Sequence, residues 1–153
     1  INSNFSVLFG LGEYHTYQAG GDFVRPQLSD EFRTWLQLTM NQHLDRLKFD
    51  HRYRAEQRWT QNGYRNRFRY RLNLNVPLNQ PKTDPGAWYL TVSDEIFFTD
   101  RAPYFERNRF FVGAGFVVRK WLTLQSGWMH QFDYRINDET GRDFLQISVL
   151  FAL

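Results

Sequence analysis

Residues 64–78 read YRNRFRYRLNLNVPL, and the parity of this stretch decides the fold. Arg65, Arg67, Arg69, Arg71, Asn73 and Asn75 take every second position, while Phe68, Tyr70, Leu72, Leu74, Val76 and Leu78 take the alternate ones. Side chains alternate between the two faces of an extended strand, so this is a strand with a cationic face and an apolar face. The segment before it repeats the pattern. Arg46, Lys48, Asp50, Arg52, Arg54, Glu56 and Arg58 alternate with Leu47, Phe49, His51, Tyr53, Ala55, Gln57 and Trp59. TQNGY (60–64) between them carries the Asn-Gly turn signal, which predicts an antiparallel hairpin.

Period-two alternation continues along the chain, and helix-period stripes are absent. It predicts eight strands near 4–17, 30–42, 46–59, 64–78, 87–99, 106–119, 121–134 and 142–153. Most exceed the ~5–6 residues usual in globular sheets and reach the ~9–11 needed for a tilted bilayer crossing. The expected fold is all-β, an antiparallel up-and-down transmembrane β-barrel forming one domain over residues 1–153. NQHLD (41–45) and VRKW (118–121) predict tight turns. QAGGDFVRPQLS (18–29), TDRAPYFE (99–106) and RINDETGR (135–142) predict longer loops at the opposite rim. The proline-rich NVPLNQPKTDPGA (75–87) departs from that alternation of short and long.

Composition narrows the function classes. Cysteine is absent, which removes disulfides, thiol nucleophiles and thiolate metal sites. The formal charge is only +3, yet of 19 basic residues all but Lys48, Lys82 and Lys120 are arginine. Arginine's planar, many-donor head suits crowded pairing with carboxylates, so the positive charge is expected to be structural. No apolar run approaches the ~20 residues of a membrane helix. A mean hydropathy of −0.60 is compatible with a membrane barrel, whose alternating strands average out. The chain opens at Ile1 without a charged-then-apolar leader, so an export signal would have been removed or lie outside this stretch.

Alternation alone does not say which face is inside, since a soluble lipocalin-like ligand-binding barrel also alternates, with its apolar residues inward. The phenylalanines, tyrosines and tryptophans of the apolar ribbons would overfill the narrow interior of eight strands. The outward orientation is therefore expected. It places Gly10, Gly12, Gly113, Gly115 and Gly127 among the long arginines. Aromatic residues near strand ends, namely Tyr14, Tyr17, Trp35, Trp59, Tyr64, Trp88, Phe98, Tyr104, Trp121, Phe132 and Tyr134, are expected to form interfacial girdles. The lumen then holds Arg46, Lys48, Arg52, Arg54, Arg58, Arg65, Arg67, Arg69 and Arg71 with Asp50 and Glu56, and Glu31, Glu95 and Asp133 are the candidate counter-charges. Either a rigid ion-paired lumen or a path or site for anions fits this set.

The ordered succession of EQRW (56–59), NRFRYR (66–71), DEIF (94–97) and NRFFVGAG (108–115) resembles an uncharacterised family of outer-membrane β-barrels of Gram-negative bacteria, DUF2490-like, over roughly residues 5–153. The resemblance implies a bacterial outer-membrane location and a barrel architecture. It also implies strands ahead of Phe5–Tyr17, so that these eight either close by themselves or belong to a barrel of ten or twelve. It carries over no catalytic residue and no cofactor.

Chemistry is weakly signalled. His15, His43, His51 and His130 show no metal-ligand spacing, and no metal is expected. Ser126 and His130 are four residues apart, ~13 Å along a strand, too far for a dyad. Glu13 and His15 share a face but lack a nucleophile nearby, so an enzyme is not expected. Rings and arginines on opposite faces argue against nucleic acid, which uses both together. His51, Gln57, Asp94, Ser126 and His130 interrupt the apolar face and are expected to dock an envelope protein partner or to sit near lipid or lipopolysaccharide headgroups; a β-bulge could instead turn Asp94 inward. The first expectation is a structural or accessory barrel of an envelope complex, and the second a small anion-selective channel.

Overall fold

A computed structural model describes residues 4–17, 27–135 and 138–151. Eight strands follow one another as β1 (Phe5–Tyr17), β2 (Gln27–Leu44), β3 (Leu47–Thr60), β4 (Gly63–Pro77), β5 (Trp88–Thr99), β6 (Phe105–Arg119), β7 (Leu122–Arg135) and β8 (Asp138–Phe151). Each pairs antiparallel with the next in one curled sheet ordered β1 to β8, an up-and-down half-barrel. Among the described residues β1 and β8 do not meet, so the sheet encloses a trough with two free edges.

Register delivers the predicted faces. Arg52 stands opposite Arg71, Arg54 opposite Arg69 and Arg58 opposite Arg65. On the other face Tyr53 pairs with Tyr70 and Ala55 with Phe68. Burial is inside-out relative to a water-soluble barrel. Among the described residues five hydrophobic side chains are buried, Ala87, Tyr89, Phe97, Phe111 and Val117, against eight polar or charged ones, including Glu31, Glu56, Arg58, Arg67, Glu95 and Asp133. Phe68 is 51% exposed and its neighbour Arg67 only 5%.

The connections differ from the expected alternation. At one rim lie the tight turn at 45–46, the segment 78–87 and the turn at 120–121; at the other lie 61–62 and 100–104. Both rims therefore carry a long connection. Of the loop expected at 135–142, residues 138–142 belong to β8, with Asp138 paired to Arg135, and 136–137 lie outside the described residues. The predicted loop at 18–26 and the end of the last strand at 152–153 lie outside the described residues. Asp45 completes the β2–β3 turn at φ 56°, a left-handed conformation that Asp tolerates.

The proline-rich segment is folded onto its rim. Asn79 donates to the Gly86 carbonyl at 2.9 Å and accepts from the Trp88 amide at 2.8 Å. The amides of Gly86 and Val117 bond the carbonyls of Val117 and Ala87 and so extend the β5–β6 ladder. Ala87, Tyr89 and Val117 pack together beneath it. Arg46 belongs to this rim and not to the lumen network. Its Nη2 donates to the carbonyls of Pro77, Leu78 and Gln80 at 3.0–3.4 Å, because its position in the turn turns it away from the β3 ladder.

Candidate functional site: an arginine-lined interior

Three cross-strand arginine pairs on one face would repel one another. Carboxylates inserted between them resolve the conflict. Glu31 accepts from Arg58 through both Nε and Nη2, and from Arg33 Nη2 at 2.7 Å. Glu56, 3% exposed, accepts from Arg67 Nε at 2.6 Å and Arg69 Nη1 at 2.7 Å, with Arg54 Nη1 at 3.7 Å. Glu95 accepts from Arg52 Nη2 at 2.6 Å and Arg69 Nη2 at 2.8 Å. Each carboxylate thus links two strands' worth of guanidinium groups, the multidentate geometry for which arginine is suited.

The network extends beyond the arginines of β3 and β4. Asp133 on β7 receives Arg107 Nε, Arg142 Nη2 at 2.8 Å and Gln131 Nε2 at 2.7 Å. Glu106 reaches Arg67 Nη1 at 3.4 Å and Arg58 Nη1 at 3.7 Å. It does so because the register shifts between Phe97 and Phe98, which inserts an extra residue after Phe105. Lys48 lies 3.2 Å from Asp50, which also receives the Asn75 amide at 3.3 Å. Arg33, Arg107, Arg109 and Arg142 are absent from the lumen set expected from the sequence, although their strand parity is a signal that finds them; the insertion of Glu106 has no sequence signal.

At the centre of the interior sits an aromatic ring. Phe97 is 1% exposed, and the guanidinium carbons of Arg69, Arg109, Arg67 and Arg107 lie 4.5, 5.2, 5.6 and 5.7 Å from its centroid. Two aromatics expected in girdles also belong inside. Trp35 faces Glu56 across the strands, with Arg54 5.5 Å from its ring, and Tyr14 carries Arg33 at 4.0 Å. Parity with the arginines, not distance from a strand end, fixes their side. The glycines lie where rings need room: a Cβ on Gly10 would collide with Trp35, and one on Gly115 with Tyr89.

Not every cation is matched. Among the described residues Arg65 and Arg71 make no ion pair, and the Nε of each is buried without an acceptor. Arg109 bonds the neutral Gln131 at 2.8 Å. Two concavities flank the Phe97 level. The upper, about 920 Å³, includes Arg65, Arg101 and Glu106 in its wall. The lower, about 520 Å³, is walled by Arg71, Arg109, Ser93 and Gln146 among others.

On the outer face four of the five polar interruptions have partners within the sheet. His51 Nδ1 lies 2.9 Å from the Tyr70 hydroxyl, and Gln57 accepts from Thr34 at 3.1 Å. Asp94 accepts from Asn108 at 2.8 Å, and His130 pairs with Asp143 at 2.8 Å. Asp94 stays exposed on the outer face, since the bulge falls after Phe97. Among the described residues the Ser126 side chain has no hydrogen-bond partner; it sits across from Ala114 and Ile147. His15 contacts Asp30 and Gln27 rather than Glu13.

Aromatic contacts mark both rims of this face, and Tyr53 with Tyr70 and Phe110 with Trp128 lie between them. Phe32, Trp59 and Tyr64 touch in sequence at one rim, as do Phe98, Phe105 and Phe132. Trp88 with Phe116 and Trp121 with Phe151 mark the other. Among the described residues no helix is long and apolar enough to cross a membrane, which leaves open a crossing by strands.

No curated protein and no solved structure matches the chain. The family model described as "Protein of unknown function (DUF2490)" matches residues 1–142, and the chain accordingly belongs to that family.

Proposed function

We propose that this sheet is the wall of a β-barrel seated in the bacterial outer membrane, where its ion-paired interior makes it a rigid structural or accessory subunit of an envelope complex. The observation that carries the proposal is the spacing of the aromatic levels on an apolar outer face. Trp88 and Phe98 bracket β5; ten residues at ~3.3 Å rise, tilted by ~40° as barrel strands are, give a height of roughly 25 Å. That is about the apolar band of an outer-membrane barrel. Between the two levels the outward residues include Leu90, Val92, Val112, Leu124 and Ile147, all exposed. A water-soluble sheet would not leave such a band uncovered. The in-sheet partners of His51, Gln57, Asp94 and His130 lower the cost of keeping them on this face.

Carbonate and salt extraction of membranes from cells producing the full chain tests the location. Retention until detergent is added supports the proposal; release without detergent overturns it. Recovery of a stoichiometric partner after mild solubilisation supports the accessory role.

A second reading, an anion-selective pore, is favoured by the interior cations left without carboxylates, Arg65 and Arg71. Single-channel recording in planar bilayers separates the two: the accessory role gives no stable conductance, and the pore gives one that favours anions.

A further inference from the structure

One cross-strand row of the interior runs Arg52, Arg71, Glu95, Arg109, Gln131 across β3 to β7. Its only carboxylate is Glu95, and Glu95 is occupied by Arg52 and Arg69. The two arginines that flank Glu95 on the neighbouring strands, Arg71 and Arg109, are therefore the ones left without a carboxylate. Both belong to the wall of the lower concavity of about 520 Å³, together with Ser93, Asn73 and Gln146. The Nε of Arg71 is buried and has no acceptor. Strands two apart are ~10 Å from each other in a sheet, a gap that two long guanidinium arms can close on a small ion.

We infer that Arg71 and Arg109 form a binding site for a phosphate group, held between the two guanidinium forks above the floor of the trough. A carboxylate presents its two oxygens in one plane, which matches a single fork arriving edge-on. A tetrahedral phosphate offers separate pairs of oxygens to two forks approaching from different strands, and leaves an oxygen for a hydroxyl such as Ser93. Glu95 does not oppose it, since its charge is already neutralised by two arginines. The site needs an interior open to water but not a conducting pore, and so it rests on the inward direction of the arginines and not on the membrane assignment.

The test is calorimetric titration of inorganic phosphate into the full chain folded in detergent, at constant ionic strength in chloride. The expected result is saturable binding that chloride does not displace. Arg71→Gln and Arg109→Gln are each expected to weaken it at least tenfold, and Arg46→Gln, at the rim, to leave it unchanged. Arg71→Lys, which keeps the charge without the fork, is expected to weaken it several-fold and serves if the glutamine variant does not fold. Absence of saturation in the wild-type chain overturns the inference. So does an equal loss in Arg65→Gln, which would indicate a diffuse positive field. Release of the protein by carbonate would remove the membrane proposal while leaving the titration result standing.

Discussion

The guanidinium carbon of Arg69 lies 4.5 Å from the centroid of the buried Phe97 ring, while the same guanidinium group bonds Glu56 and Glu95. One side chain thus joins the aromatic centre to two carboxylates on neighbouring strands. Guanidinium is weakly hydrated and stacks on rings, so burying it against Phe97 costs less than burying an ammonium would. This combination lets the interior be densely charged and still packed.

Replacing Phe97 separates packing from ring electrostatics. Phe97→Ala is expected to lose about 3–5 kcal/mol, the usual cost of emptying a buried phenylalanine site. Phe97→Leu keeps most of the volume and is expected to lose about 1–2 kcal/mol, combining imperfect fit with the lost cation–ring attraction. Urea unfolding in lipid vesicles measures both. An equal loss in the two variants would show that the ring's charge distribution, not its bulk, dominates.

Glu56 is the most deeply buried carboxylate of the network. Glu56→Gln leaves Arg67 and Arg69 facing a neutral acceptor in a confined space and is expected to cost about 3 kcal/mol, as for other broken buried pairs. Adding Arg67→Gln should recover part of that loss, because the uncompensated cation is then gone. A double variant as unstable as the sum of the single ones would contradict the coupling described for this pair.

How much of this could be read beforehand depends on what parity encodes. The alternation of Arg65 to Arg71 with Phe68 to Val76 fixed the faces, and the structure keeps them. The pairing of particular arginines with particular carboxylates could not be read, since it depends on how strands slide against one another and on the shift after Phe97 that brings in Glu106. Trp35 lies inside and not in a girdle because its parity with Arg33 and Gln37, and not its aromatic character, sets its face. Proline removes ladder donors, so the sequence of 78–87 carries no signal for an ordered connection; its hydrogen bonds come from side chains such as Asn79 and Arg46, which no local pattern announces.

Gly115 lies against the Tyr89 ring, whose hydroxyl donates to Gln125 at 3.1 Å. Gly115→Ala must push that ring aside and break this bond, an overpacking expected to cost about 1–3 kcal/mol. Tyr89→Leu on its own removes the bond and some packing, but in the Gly115→Ala background it should be better tolerated than in the wild-type chain. Thermal or urea denaturation of the four proteins gives the coupling; purely additive losses would mean that the two residues do not compete for space.

The outer face supplies the sharpest contrast between water and lipid. Leu36 is 56% exposed, and it stands four residues from Phe32 of the aromatic level on the same strand. At ~3.3 Å per residue and ~40° of tilt it lies roughly 10 Å below that level, close to the middle of a ~25 Å band. On a water-facing sheet, Leu36→Arg would change stability by no more than about 0.5 kcal/mol, as exposed substitutions do. In a bilayer the same change is expected to cost about 2–4 kcal/mol. Thr39→Glu, opposite Arg52 on the inner face of the same strand, offers a comparison that places a charge among polar groups and leaves the outer face untouched. Folding both variants into vesicles and measuring urea midpoints decides the matter: a large loss confined to Leu36→Arg is the expected outcome, and a near-zero loss there would mean that the apolar face meets water or a polar partner.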